Sequence, residues 1–264
     1  MTRLSLKRVG VRIRNPEGGE RWILKDISAN IHSKDRIGLL GKNGSGKTTL
    51  VRVIVGLEKR THGRIQVIPP SARRMIVLQR PEDLFVRGTV GEQINSYAPL
   101  PMSPNTIHEL MDSLGLPPAL GLRSPLCLSF GQQRLLAILC ALATRSDFII
   151  MDEPMAGLDA DARCQVRQAL LNLKKKNDLG WLITSHHPDD LLGLVERVWV
   201  MENGNLLYDG LFQQVPQPVL EAYFSPHETS LYYRLRLLEC QGTPLPETIY
   251  ATTEPEQIVR LLLS

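Results

Sequence analysis

The stretch Gly41-Lys-Asn-Gly-Ser-Gly-Lys-Thr48 decides the fold, because it fits the phosphate-loop pattern G-x-x-x-x-G-K-[ST]. It follows the apolar run from Arg36 to Leu40 and opens an apolar segment, Thr48 to Val55, that stops at Gly56. The glycines let backbone N–H groups close around phosphate oxygens, and a helix N-terminus adds partial positive charge. An ordinary glycine-rich loop lacks this context, so the stretch predicts a strand, a nucleotide-binding loop and a helix.

Each residue of this loop has an expected role toward a nucleoside triphosphate. Lys47 is predicted to reach the β- and γ-phosphates, and the Thr48 hydroxyl to ligate Mg²⁺. The other phosphate contacts are expected from the rest of the loop and the start of the helix: Gly41, Lys42, Asn43, Gly44, Ser45, Gly46 and Thr49.

A second chemical element follows the apolar run from Phe148 to Met151, which reads as a buried strand ending in Asp152 and Glu153. Such a strand end would place Asp152 beside the Mg²⁺ shell, and Glu153 can polarise a water in line with the γ-phosphate. The alternative is that Asp-Glu-Pro merely ends a strand at a turn. The Lys47 loop upstream favours the catalytic interpretation.

A third element, Leu128-Ser-Phe-Gly-Gln132, is predicted to open an amphipathic helix with apolar residues at helical spacing: Leu135, Leu139 and Leu142. Ser129 is a good N-cap, and Gly131 allows close approach of an anion. Since the Lys47 loop already holds phosphates, we expect this second anion-binding helix start to serve the nucleotide of another subunit.

These motifs resemble those of the ATPase subunits of ATP-binding-cassette (ABC) transporters, over about residues 4–212 and in the family's order. The resemblance implies ATP as the nucleotide and assigns the motifs as follows: Lys47 and Thr48 to Walker A, Gln79 to the Q-loop, Leu128 to Gln132 to the signature, Asp152 and Glu153 to Walker B, Asp159 to the D-loop and His186 to the switch histidine. It implies that Mg²⁺ is held by Thr48, Gln79 and Asp152. Further contacts to ATP would come from Gln79, Ser129, Gly131, Gln132 and Asp159, with Glu153 and His186 as the catalytic residues.

The resemblance also implies an α/β fold, with a P-loop NTPase core (RecA-like), an antiparallel β subdomain, an inserted helical subdomain and a short C-terminal extension. The expected boundaries are 1–87 and 146–212 for the nucleotide-binding core, 88–145 for the helical signature subdomain and 213–264 for the extension. Asn203-Gly204 between two apolar runs predicts a hairpin. The segment Glu254 to Leu263 is predicted to be helical, with Thr253 as its cap.

The chain departs from the family pattern at three places. Phe130 stands where the signature usually has glycine, and the Gln133-Arg134 pair comes one residue early. The stretch Val11 to Arg14 lacks the aromatic residue on which the family usually stacks adenine; Trp22 is either its substitute or an ordinary surface residue. His187 is interpreted as a solvated neighbour of the switch histidine.

Composition limits the class of protein. The chain has 264 residues, 43% hydrophobic residues and a net charge of +4, too small to imply a nucleic-acid surface by itself. No apolar run approaches the roughly 18–20 residues of a membrane span, and the first residues do not resemble a signal peptide, so we expect a soluble, intracellular protein. The cysteines lack metal-site spacing and are expected to be packing residues: Cys127, Cys140, Cys164 and Cys240.

The stretch from Gln79 to Phe85, followed by Gly88-Thr-Val90, is similar to the Q-loop region of energy-coupling-factor importers, which take up vitamins or transition-metal ions such as cobalt and nickel. This branch implies integral-membrane partners, a second ATPase subunit in a homodimer or related heterodimer, and a place on the cytoplasmic face of the membrane. The alternatives are another ABC transporter class and a soluble cassette ATPase on a non-membrane scaffold, as in iron–sulfur cluster assembly. A nucleic-acid or ribosome-associated cassette would predict a coiled-coil insertion or a second cassette, so no nucleic-acid partner is expected.

Overall fold

The computed structural model describes residues 2–14, 18–80, 85, 88–176, 178–216 and 218–219. The chain divides into two compact units. The first contains residues 1–3, 32–34 and 67–181, and the second contains residues 4–31, 35–66 and 182–264. The predicted C-terminal helix and its cap at Thr253 lie outside the described residues, and the three-part domain division stays a prediction.

The elements of the described residues follow in chain order: β1 (Arg3–Arg14), β2 (Glu20–His32), β3 (Arg36–Leu40), α1 (Lys47–Val55), β4 (His62–Ile68), β5 (Arg74–Val77), α2 (Val90–Tyr97), α3 (Pro104–Ser113), α4 (Phe130–Ala143), β6 (Phe148–Met151), α5 (Ala160–Lys176), β7 (Gly180–Ser185), β8 (Arg197–Glu202) and β9 (Asn205–Leu211). None of these helices is both long and apolar enough to cross a bilayer, within the described residues.

In the first unit, β5 and β6 form a parallel pair in which Met75 lies opposite Ile149. Helix α4 packs against α2 and α5. All of its residues are buried except Phe130, Gln132 and Leu142. Helix α4 is therefore less amphipathic than predicted, because neighbouring elements of the same unit cover most of its circumference.

In the second unit, β3 pairs in parallel with β8, and β8 pairs antiparallel with β9. Asn203 and Gly204 connect these last two strands with φ angles of 46° and 81°, so the predicted hairpin is confirmed. A separate three-stranded sheet has the order β2-β1-β4. Parallel and antiparallel pairing together give the mixed α/β fold that the motifs predicted.

The cysteines do not share one environment. Cys140 is buried in α4, as predicted for a packing residue. Cys127 and Cys164 are exposed, so the prediction was wrong for these two. Cys164 lies beside the exposed Gln165 on α5, and Cys127 lies beside the exposed Leu126 before α4, so neither thiol is covered by other described elements. Cys240 lies outside the described residues.

Candidate nucleotide-binding site

The phosphate loop has the predicted strand–loop–helix form. Strand β3 ends at Leu40, and α1 begins at Lys47 with Gly46 as its N-cap. Gly44 and Gly46 have φ angles of 79° and 104°, a backbone conformation that residues with a side chain rarely adopt. Gly56 ends α1 in the left-handed conformation, as the sequence predicted.

The loop lies against the β8–β9 hairpin of the same unit. A Cβ atom on Gly41 would come within 2.5 Å of the Met201 carbonyl oxygen, so only glycine fits there. The Gly204 N–H donates to the Ser45 carbonyl at 3.0 Å. The buried Oγ of Ser45 has no hydrogen-bond partner among the described residues. The hairpin thus fixes the loop from one side.

Lys47 turns its charge back into the loop. Its side chain is buried, with 5% of its surface exposed. Its Nζ donates to the carbonyl oxygens of Gly41 at 2.7 Å and Lys42 at 3.3 Å. A buried ammonium needs such acceptors, and phosphate oxygens are a stronger set of the same kind.

A cavity of about 490 Å³ adjoins the loop within the second unit. Its lining residues are Glu20, Arg21, Trp22, Ile23, Lys25, Gly44, Asn203 and Gly204. The Trp22 side chain is 37% exposed, and the Arg12 guanidinium lies 5.0 Å from its ring centroid. The lining of this cavity therefore includes both a residue of the phosphate loop, Gly44, and the aromatic ring of Trp22.

His186 follows β7 and is half-buried. The His187 ring lies 4.1 Å from the His186 ring, centroid to centroid, and is also half-buried, so His187 is only partly solvated. The backbone here is fixed by Ser185, whose Oγ donates to the Asp190 carboxylate at 2.9 Å and accepts from the His187 N–H at 2.9 Å. Pairing of the two rings restricts the orientation of His186.

Asp152 and Glu153 belong to the first unit and are both buried. The Asp152 N–H donates to the Val77 carbonyl at 2.9 Å, which continues the parallel pairing by one residue. Glu153 has φ of 49°, a left-handed conformation that is unfavourable for a residue with a side chain. Such strain persists where surrounding structure enforces it, and it concentrates at functional sites.

Ser129 caps α4, as predicted. Its hydroxyl accepts from the Gln132 N–H at 3.3 Å, and the Gln132 side chain accepts from the Ser129 N–H at 3.1 Å. This capping box leaves the Ser129 hydroxyl proton available to an anion. Phe130 follows with 75% of its surface exposed.

Gly131 has a packing role within its own chain. A Cβ atom here would come within 2.9 Å of the Ala162 Cβ on α5. The absence of a side chain therefore lets α4 approach α5. Contact between Gly131 and a nucleotide, through its backbone N–H, stays a prediction.

Asp159 caps the next helix: its carboxylate accepts from the Ala162 N–H at 2.8 Å, at the start of α5. Gln79 is exposed just after β5. Phe85, the last residue of the stretch that resembles the Q-loop region of energy-coupling-factor importers, is half-buried, whereas residues 81–84 lie outside the described residues.

Arg134 was missed as a functional candidate. It is buried in α4 and donates to the carbonyl oxygens of Leu78, Gln79 and Ala156. Within the first unit, Arg134 thus links α4 to Leu78, to Gln79 and to the turn that precedes Asp159. The only signal in the sequence was that the Gln133-Arg134 pair comes one residue earlier than in the family pattern.

Comparison with known proteins agrees with this geometry. The sequence model of the family described as "ABC transporter" matches residues 24–156, about half of the chain. "ABC transporter I family member 11, chloroplastic" from Arabidopsis thaliana is 33% identical over 73% of this chain and 76% of that protein. "Energy-coupling factor transporter ATP-binding protein EcfA2" from Caldanaerobacter subterraneus is 29% identical over 90% of each chain.

A solved structure shares the fold. It is a dimeric ATP-binding cassette in a post-hydrolysis state bound to ADP and Pi, with a TM-score of 0.67 and 22% identity, covering 79% of this chain and 98% of that one. Together with the phosphate loop and the order of motifs, these matches show that the chain belongs to the ABC transporter family, as an ATP-binding and ATP-hydrolysing subunit.

Proposed function

We propose that this chain powers an energy-coupling-factor-type importer of a vitamin or transition-metal ion, docked on integral-membrane subunits at the cytoplasmic face of the membrane. Two observations support this branch: the similarity to an energy-coupling-factor relative extends over 90% of both chains, and the stretch from Gln79 to Phe85 resembles that branch. The chloroplastic relative is more identical over a shorter span, which keeps another ABC transporter class as the second candidate.

Co-purification separates the candidates. An energy-coupling-factor importer predicts capture of multi-span membrane proteins with the tagged chain, together with a second copy or a related ATPase. Capture of a soluble scaffold without membrane proteins would favour the alternative of a soluble cassette ATPase.

The three residues proposed to hold Mg²⁺ offer suitable donors. The Thr48 hydroxyl, the Gln79 amide and the Asp152 carboxylate supply oxygen ligands, which Mg²⁺ prefers. Once bound there, Mg²⁺ would neutralise the negative charge that develops on the phosphate oxygens during phosphoryl transfer.

The residues of the chain then divide the work of hydrolysis. The Lys47 ammonium exchanges the carbonyls of Gly41 and Lys42 for β- and γ-phosphate oxygens. Glu153 orients the attacking water and accepts its proton, and His186 donates a hydrogen bond to the γ-phosphate.

The Ser129 hydroxyl is proposed to contact the γ-phosphate of a nucleotide bound by the second subunit. Each ATP would then lie between the Lys47 loop of one subunit and the α4 start of the other. ATP binding closes such a dimer, and loss of the γ-phosphate releases it.

The observation that carries this mechanism is the buried, conformationally constrained Glu153 directly after the acidic strand end. Glu153→Gln keeps the shape and removes the base, so hydrolysis is expected to fall by about 10²-fold or more. ATP-dependent dimers should accumulate in size-exclusion chromatography. Glu58→Gln, at an exposed acid, is the matched control and should hydrolyse ATP normally. Wild-type turnover in the Glu153 variant would reject the assignment.

A further inference from the structure

Arg134 connects three segments of the first unit. One guanidinium nitrogen, Nη1, donates to the Leu78 carbonyl at 3.3 Å and to the Gln79 carbonyl. The other, Nη2, donates to the Ala156 carbonyl at 3.4 Å. Arg134 itself lies one turn into α4, the helix that Ser129 caps.

The chemistry of arginine suits this connection. The guanidinium is planar, permanently charged and carries five N–H donors in a fixed fork, so one side chain can hold several carbonyls in one geometry. The side chain is 7% exposed, which strengthens these charge-assisted bonds by excluding water. Loss of the side chain would leave carbonyls at the Gln79 turn and the Ala156 turn without this donor.

The three segments are the ones whose side chains are proposed to meet nucleotide. Gln79 is a proposed Mg²⁺ ligand, Ser129 is proposed to contact the partner's γ-phosphate, and Asp159 comes three residues after Ala156. We infer that Arg134 is a positioning residue for ATP hydrolysis, which fixes the Gln79 backbone and the Ala156 turn relative to α4. This inference rests on the proposed function and deepens it.

Because there is space beside the Arg134 guanidinium, the positions of the Gln79 and Ala156 turns depend on its hydrogen bonds. A cavity of about 450 Å³ adjoins it, lined by Gln79, Arg80, Phe130, Gln133, Ala156 and neighbouring residues. Because no side chain of the described residues fills the cavity, the two turns have room to shift once the carbonyl bonds are lost. A shift of about 1 Å in a positioning group can cost about 10²-fold in rate.

The test is a double-mutant cycle between Arg134 and Gln79 in the full-length chain. Arg134→Met is expected to bind ATP within about twofold of wild type while kcat falls about 10-fold or more, since positioning acts on the transition state. Arg134→Lys, which keeps the charge and can reach one carbonyl, should recover part of the loss. Gln79→Ala combined with Arg134→Met should lose less activity than the product of the two single losses, because part of the Arg134 effect passes through Gln79.

Arg197→Met is the control for a purely structural arginine. The Arg197 guanidinium also binds a backbone carbonyl, that of Asn30 at 2.9 Å, along with Asp35 and Asp209 in the second unit. Its loss should lower Tm without lowering kcat, measured well below Tm. If Arg134→Met behaves in the same way, Arg134 is structural and the inference is overturned.

The inference is also overturned if the losses in kcat from Gln79→Ala and Arg134→Met are additive and Arg134→Lys recovers no activity. If Arg134→Met does not fold, the same cycle is run with Arg134→Lys, where additivity remains the contrary result. Glu153→Gln, measured in parallel, separates this proposal from the proposed function. Wild-type turnover in that variant refutes the catalytic assignment, whereas wild-type kcat in Arg134→Met beside an inactive Glu153→Gln refutes only the positioning role.

Discussion

Trp22 lines the same cavity as Gly44 of the phosphate loop, and we predict that its ring stacks on the base of a bound nucleotide. Trp181 and Trp199 are fully buried, so a nucleotide-dependent change in tryptophan fluorescence would come chiefly from Trp22. The ring is already held on one side by Arg12, which reduces the entropy cost of stacking.

We therefore predict that ATP or ADP quenches the fluorescence of the isolated chain and that Trp22→Leu removes this signal. Base stacking on an aromatic residue contributes about 1–3 kcal/mol, so the Kd for ATP should rise at least about fivefold. Trp22→Phe keeps a ring and should restore most of the affinity, as measured by calorimetry. An unchanged affinity of Trp22→Leu for ATP would show that Trp22 is an ordinary surface residue.

At the scale of single elements, α4 combines an exposed start with a buried body. Burial raises the pKa of the Cys140 thiol to about 12. At pH 8 only about one Cys140 thiol in 10⁴ is therefore ionised, and the thiolate is the reactive form. Cys127 and Cys164 are exposed and accessible to reagents.

The prediction concerns thiol alkylation at pH 8. In the native chain, iodoacetamide should modify Cys127 and Cys164 while Cys140 stays unmodified, as read by mass spectrometry of the peptides. Raising the pH toward the Cys140 pKa should increase the labelling of Cys140 only if the fold opens enough to admit iodoacetamide. In denaturant all three should react. Native labelling of Cys140 at the rate of Cys127 would show that α4 is not packed as described.

The elements could be predicted from sequence where periodicity and turn chemistry agree. The loop from Gly41 to Thr48, helix α1 and the Asn203-Gly204 hairpin carry local signals strong enough to be read alone. Strand β2 runs from Glu20 to His32, and no continuous sequence pattern marks its full length. Asp26 has φ of 51°, which interrupts the period-two alternation that a sequence pattern depends on.

The candidate site was predictable only where function demands a particular residue type. Lys47 and Glu153 are recognisable by position in a motif. Arg134 was not, because its partners are backbone carbonyls that any residue supplies. The packing role of Gly131 against Ala162 depends in the same way on how two helices approach each other, which no local pattern records.

At the scale of the whole molecule, the account requires two chains that share each nucleotide. The Ser129 position allows a substitution that is mild toward its own helix, because aspartate is also a favourable N-cap. Ser129→Asp should therefore preserve α4 and place a negative charge against the partner's γ-phosphate. A change at Gly131 would be less informative, since any side chain there contacts Ala162.

The most direct test isolates heterodimers carrying two different affinity tags and measures their ATP hydrolysis. Lys47→Ala paired with Ser129→Asp puts both lesions in one composite site and leaves the other intact. A Lys47→Ala, Ser129→Asp double variant paired with wild type puts one lesion in each site. Head-to-tail sharing predicts about half of wild-type activity for the first heterodimer and little for the second, given two equivalent sites in a symmetric dimer. The reverse result, with activity only in the second heterodimer, would show that each nucleotide is served by a single chain and would contradict the account.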